Sequence, residues 1–438
     1  MNYLTLGQKL RLKRKELNLT LKDVAGDYIS TATLSLVERD MQVPSEDLLR
    51  YLADKLQTPY PYFRETPEET LNRRAKTLLA EAEVLLYRKR FGMAARFAEE
   101  ILEDAKELKL MHLIGQSSLL LSQIALEKGE YHKANQYLFE AQNATILSGN
   151  DGWLPNIYYQ FGLVSFRQSF YAQALDYFKQ AEQTELVELK TVEDDLTRKI
   201  LSMISQTYHK LSQFDQALHY AEKTRDLVSR LNNLEAYAES LIMLGASYRE
   251  KEQYDQAFDL FQEAQRLIHQ VDAQQELSEI SYNLASLFVK TGNFEEAHRH
   301  YAQAIDQKLQ HQDPSVVSTS LEHVETLILS GDIEPALERL ESATLLLDQF
   351  GVEEERARAL ALRYQLLHLS GKSQEGRAAL EESLTLTRKL PFPKRVADTL
   401  VRLGRICANS GDPTTATLLF AEALAVYENC GIILDRFI

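Results

Sequence analysis

Residues 241–264 read LIMLGASYREKEQYDQAFDLFQEA. Leu241, Leu244 and Tyr248 recur at helical spacing, and the small Gly245 leaves a groove among them on one helix face. About a dozen residues later Ala257, Phe261 and Ala264 open a second helix. The stretch is therefore expected to be a helical hairpin in which Ala257 of the second helix fits the groove of the first.

The pattern is repeated. Nine segments carry the second-helix signature, among them GEYHKANQYLFEA, SFYAQALDYFKQA and GNFEEAHRHYAQA. Their small anchor residues are Ala94, Ala134, Ala174, Ala217, Ala257, Ala297, Ala336, Gly376 and Ala416, and six of the eight intervals between them are 40 residues. A fixed period of this size indicates stacked hairpins that bury their faces only against neighbours.

The L-G-x-x-Y and A-x-x-x-F-x-x-A elements at Leu244, Gly245, Tyr248, Ala257, Phe261 and Ala264 resemble the tetratricopeptide repeat, over residues of about 70 to 430. That family's usual period is about thirty-four, so each helix pair here is longer. The seventh and eighth repeats are degenerate, with His323 and Arg363 where Leu is expected. The apolar segment 431–438 reads as a C-terminal cap or a self-association surface.

Composition agrees with a helical protein. The 438 residues are 45% hydrophobic and 26% charged, with only 10 Pro and 17 Gly. Net charge is −15, but residues 1–64 carry +2 and the remaining 374 carry −17. The positive charge gathers in residues 1–22, where six Lys/Arg face Glu16 alone. A small basic head on an acidic body points to a nucleic-acid contact at one end. Cys407 and Cys430 form neither a disulfide framework nor a zinc pattern. No apolar run suggests a secretion signal or a membrane span, so a cytoplasmic location is expected.

In the head, residues 6–20 form an amphipathic basic helix on Leu6, Leu10, Leu17 and Leu19. Thr20 caps a second helix with Asp23 three residues on, and Gly26-Asp27-Tyr28-Ile29 supplies a turn. Ser30 caps a third helix, Thr31–Arg39, and Pro44-Ser45 caps a fourth, Glu46–Leu56. The stretches L-T-x-x-x-V-A, I-S-x-x-x-L-S-x-x-E-R and V-P-S-x-x-x-L resemble the lambda-repressor-like (XRE) helix-turn-helix over residues 4–60. The resemblance implies that the third helix enters the major groove. It makes Ser30, Thr31, Ala32, Thr33, Ser35 and Leu36 groove-facing candidates, and Lys9, Arg11, Lys22 and Arg39 phosphate contacts. It also implies a partly buried ion pair between Arg14 and Glu38. Leu21 stands where family members often carry Gln, which removes one expected contact.

The body shows no enzyme motif. Gly371-Lys372-Ser373 mimics the end of a phosphate loop, but Leu366 stands where that loop needs its first Gly. There is no HExxH or GxSxG. His298 and His300, two apart, point to different faces, and the carboxylates at Asp194-Asp195 and Glu353-Glu354-Glu355 read as solvated. No catalytic residue, metal or cofactor is expected. In tetratricopeptide arrays the first helix of each pair lines a concave channel. Counting back from the anchors gives Asn156, Tyr159, Phe166, Arg167, Gln206, His209, Lys210, Arg249, Tyr282, Asn283 and Lys290 as peptide-binding candidates. Amides can pair with an extended peptide backbone, and Arg or Lys can hold a carboxylate.

Together these features resemble the peptide-pheromone regulators of Gram-positive bacteria, the RRNPP group that includes Rgg- and PlcR-like proteins. The expected fold is all-α: a helix-turn-helix domain at 1–64, a linker at 65–74, a right-handed solenoid of about nine helix pairs at 75–430 and the cap at 431–438. The resemblance implies a homodimeric, DNA-binding quorum-sensing regulator, outside the membrane, controlled by a short signalling peptide. The alternative is a regulator whose repeats dock a partner protein. A phosphatase role is disfavoured, because group members with that role lack such a head.

Overall fold

The computed structural model describes residues 4–149, 151–188, 195–229, 233–271, 274–390 and 393–429. All secondary structure among them is helical. The expected cap at 431–438 lies outside the described residues, as do Asp194 and Cys430. The chain divides into two compact units, residues 1–164 and 165–438.

The first unit opens with five short helices: α1 (Leu6–Glu16), α2 (Leu21–Ala25), α3 (Thr31–Val37), α4 (Glu46–Lys55) and α5 (Tyr60–Arg64). Thr20 accepts from the Asp23 backbone and the Asp23 carboxylate accepts from the Thr20 amide, a reciprocal cap that starts α2. Ser30 and Ser45 cap α3 and α4 in the expected places. Two expected helices are shorter than read. α1 ends at Glu16 rather than residue 20, because Asn18 takes a positive φ of 54° and turns the chain out of the helix. α3 ends at Val37 rather than Arg39. Leu10, Leu34, Val37, Leu52 and Phe63 form the centre of a common core, whereas Leu17 of the expected apolar stripe is exposed. At Gly7 a Cβ would stand 2.5 Å from the Val37 carbonyl oxygen, so only glycine lets α1 approach the end of α3 this closely.

Residues 65–74 do not form an extended linker. Thr66 and Glu69 make a capping box, Pro67 occupies the first helical turn, and α6 runs from Pro67 to Tyr87. Leu71 is fully buried, and Arg74 pairs with Asp104 at 2.7 Å and with Glu100. α6 packs on α7 (Phe91–Leu108), α7 on α8 (Met111–Glu127) and α8 on α9 (Tyr131–Ser148). The last described helix to begin in this unit is α10 (Leu154–Arg167), which runs into the second.

The second unit continues the same order through α11 (Tyr171–Glu188), α12 (Asp195–Lys210), α13 (Phe214–Ser229), α14 (Leu234–Glu250), α15 (Tyr254–Val271), α16 (Gln274–Lys290) and α17 (Phe294–Gln310). It closes with α18 (Val316–Ser330), α19 (Ile333–Phe350), α20 (Glu353–Leu369), α21 (Ser373–Thr387), α22 (Pro393–Asn409) and α23 (Pro413–Asn429). Every anchor residue falls in the second helix of a pair, and all eight anchor alanines are buried. The residue five positions before each anchor is left-handed in all nine repeats: Lys89, Gly129, Ser169, Ser212, Glu252, Gly292, Gly331, Gly371 and Gly411. That conformation reverses the chain between the paired helices and explains why the position is often Gly.

One packing detail differs from expectation. The groove over Gly245 is filled by the Phe261 ring rather than by Ala257: a Cβ at Gly245 would meet the ring at 2.5 Å. Gly404 and Phe420 repeat the arrangement at 2.6 Å. The anchor alanine permits close approach, but the aromatic residue four positions on supplies the knob.

First helices also pack on first helices of the next pair, α12 on α14, α14 on α16, α18 on α20 and α20 on α22. Within the second unit this curves the array with first helices on its inner side. The curl is deep enough that the Arg395 guanidinium, in α22, donates to the Arg167 carbonyl at 2.6 Å, and Lys394 lies over the Tyr171 ring at 5.0 Å.

Candidate functional site

Two surfaces carry the residues singled out from sequence. The first is the outward face of α3. Leu34 and Val37 turn into the core, leaving Thr31, Ala32 and Leu36 exposed and Thr33 and Ser35 half-buried, with Arg39 exposed just past the end of the helix. The Ser30 hydroxyl accepts from the Thr33 amide at 3.0 Å and contacts the Thr33 hydroxyl at 2.8 Å, so it serves the cap. Arg11, Lys22 and Arg39 are exposed and have no ion-pair partner among the described residues. Arg14 makes a two-pronged contact with Glu38, Nε to Oε1 at 2.6 Å and Nη2 to Oε2 at 2.8 Å, and its Nη1 donates to the Leu19 carbonyl. This pair ties α1 to the end of α3 and fixes the angle at which α3 is presented.

Lys9 is a correction. It was expected to meet phosphate, yet it is buried, and its ammonium donates to the carbonyls of Tyr62 at 3.1 Å and Glu65 at 2.7 Å. Burial pushes its pKa down, and Glu65 opposes that shift. It clamps α1 to the end of α5. Glu65 in turn accepts both prongs of Arg73 on α6 at 2.9 and 3.2 Å, so the head is joined to the first repeat by hydrogen-bonded contacts.

The second surface is the inner, first-helix face. Asn156 and Tyr159 lie in the first unit and the other nine peptide-binding candidates in the second. Arg249 and Asn283 are buried and bonded to each other, Nη1 to Oδ1 at 3.0 Å. Asn283 also donates to the Glu279 carbonyl at 2.8 Å, and Arg249 pairs with Glu250. Their bond joins α14 to α16. Tyr282 hydrogen-bonds Glu322, and burial followed by that carboxylate raises its pKa. Phe166 packs edge-on to Tyr171 and His209 to Phe214. Gln206 donates to Ser202 at 3.3 Å. Arg167, Lys210 and Lys290 are exposed.

A partly open cleft lies elsewhere. A cleft of about 490 Å³ is lined by α18, α20 and α22, with Val289 and Tyr301 at its edge, and none of the eleven expected residues lines it. Its walls include Glu322, Glu325, Arg358, Gln365, Arg402, Arg405 and Asn409. Burial pushes the Glu322 carboxyl up, against the pull of Arg358. Burial alone would lower Arg358, but Glu325, bonded to it at 3.0 Å, holds it charged. These residues were legible by the same rule. Glu322 and Arg402 stand fourteen residues before Ala336 and Ala416, as Asn283 stands before Ala297.

Residues 189–385 match the model of the MalT-like TPR region. No curated protein matches the sequence. Among solved structures, a Rap protein complexed with Competence and Sporulation Factor is similar at 14% identity and TM-score 0.59, over 82% of this chain and 99% of that one. The apo form of the quorum sensor NprR from B. thuringiensis is similar at 19% identity and TM-score 0.51, over 80% and 98%. NprR in complex with its cognate peptide NprX is similar at 19% and 0.50, over 81% and 96%. The chain therefore shares the tetratricopeptide-like helical fold of these sensors.

Proposed function

We propose that the chain is a DNA-binding transcription regulator whose repeat body binds a short signalling peptide. The head is read as a lambda-repressor-like helix-turn-helix that lays α3 in the major groove. The observation that carries this is the outward face of α3. Thr31, Ala32 and Leu36 are turned to solvent by a helix whose Leu34 and Val37 hold the core, with Arg39 exposed just past its end, in a head where Arg11 and Lys22 have no ion-pair partner among the described residues. Short hydroxyls and a methyl there can read base edges, while the cations meet phosphates.

The peptide half rests on the inner cleft and on the likeness to sensors, one of which is solved with its cognate peptide. The work is binding rather than catalysis, by a homodimer in the cytoplasm. A peptide that fits one curvature of the second unit better than another shifts the population between them. Contacts that close the array, such as Arg395 to the Arg167 carbonyl, are the ones such a shift would make or break.

Capture of genomic fragments by the full-length protein at about 50 mM salt, followed by sequencing, tests the DNA half. Enrichment of a few fragments sharing a two-fold repeated motif is expected, and Ala32→Glu should abolish it. Equal recovery of all fragments by both proteins would refute sequence-specific binding.

A further inference from the structure

The charges of the α18–α20–α22 cleft are unevenly spent. On the α18 wall Glu325 is taken up by Arg358, and Glu322 is bonded to Tyr282. On the α22 wall Arg402 and Arg405, three residues apart on one helix face, are exposed, and neither has an ion-pair partner among the described residues. Between the walls lie the apolar Ile328, Leu362 and Ile406, with Leu362 fully buried. A solvated Arg on an open helix face is ordinary. Two unpaired guanidiniums over an apolar floor in a ligand-sized cleft are a binding arrangement.

We propose that Arg402 and Arg405 clamp a carboxylate of the bound peptide, with an apolar side chain next to that carboxylate seated among Ile328, Leu362 and Ile406. This rests on the peptide-binding reading above and names where and by what group the peptide is held. Planar guanidiniums meet a carboxylate through paired, charge-assisted hydrogen bonds, which an ammonium cannot reproduce. Glu322 and Glu325 opposite present carboxyl oxygens, hydrogen-bond acceptors that a phosphate cannot use. They favour a ligand that is anionic at one end and a hydrogen-bond donor at the other, as a peptide is. The carboxylate can be the peptide's C-terminus or an Asp or Glu side chain.

The test passes two matched pools of synthetic random hexapeptides, one with free C-termini and one amidated, over immobilised full-length protein and identifies retained sequences by mass spectrometry. The same is done with R402Q/R405Q, whose melting temperature should match the parent because both side chains are exposed. Retention by the parent with at least a tenfold loss in the variant supports the clamp. Retention of the free-acid pool alone then assigns the C-terminus. Retention of both pools, enriched in Asp or Glu beside an apolar residue, assigns a side chain. Equal retention by parent and variant, or retained amidated peptides without any acid, overturns the clamp and leaves peptide binding standing. No retention by the parent overturns both.

Discussion

The Arg249 guanidinium and the Asn283 amide oxygen are 3.0 Å apart in the second unit, with the two residues 8% and 7% exposed. From sequence both were expected to face a peptide. Their mutual bond makes them part of the packing between α14 and α16. Removing Asn283 deprives a buried cation of one acceptor, although Glu250 remains.

Asn283→Ala is therefore expected to lower unfolding free energy by about 1–3 kcal/mol, read as a drop in urea midpoint. Lys210→Ala, at an exposed position of the same expected set, should leave the midpoint unchanged. A lost peptide response in Asn283→Ala counts as binding evidence only if that midpoint is unaltered.

Lys9 and Arg11 separate stability from DNA contact. Lys9→Met removes two hydrogen bonds to the Tyr62 and Glu65 carbonyls and should cost about 2 kcal/mol. Arg11→Ala should leave stability alone but lower the salt slope of DNA binding by about 1. Denaturation and salt-titrated anisotropy on both variants distinguish the roles. An unchanged slope for Arg11→Ala removes it from the contact set.

The same contrast shows what a sequence makes legible. The period, the anchors and the caps could be read because each is a local requirement: a small residue at a crossing, a hydroxyl at a helix start, a left-handed residue at a reversal. Which polar side chains face a ligand could not. Arg249 and Asn283 satisfy each other across two helices 34 positions apart in the chain. Likewise Lys9 reaches carbonyls more than fifty residues away. Counting offsets identifies the inner face, but only the three-dimensional partners show which groups on it, Arg402 and Arg405 among them, have no ion-pair partner among the described residues.

Glu252 takes a φ of 60° at the reversal between α14 and α15, where five other repeats place glycine. The site is exposed, so the side chain contributes little packing to offset the strain. Glu252→Gly should raise stability by about 1 kcal/mol, seen as a higher melting temperature. A decrease would show that the side chain has a contact of its own.

His323, where the repeat pattern expects Leu, is stacked on Tyr301 at 5.4 Å with His298 at 5.2 Å. Burial, then Arg339 and His298, push its pKa down to about 3 from an ordinary value of 6.5. Between those values the unfolded chain binds a proton that the folded one excludes. Stability should therefore fall as pH drops below 6.5, by at most about 1.4 kcal/mol per unit from this group, and be insensitive to it above. His323→Phe keeps a ring in the stack and should flatten the dependence. Some slope should remain, since burial also lowers His209 and His300. An identical slope in the variant would assign the acid sensitivity elsewhere.

The most direct test of the whole account is the affinity of the full-length protein for a captured genomic fragment, measured by anisotropy as a retained peptide is added. Coupling between head and repeats requires Kd to move, by about 5–150-fold at saturating peptide, and R402Q/R405Q to suppress the movement while leaving peptide-free DNA affinity as it was. A Kd that stays constant at saturating peptide would contradict the account.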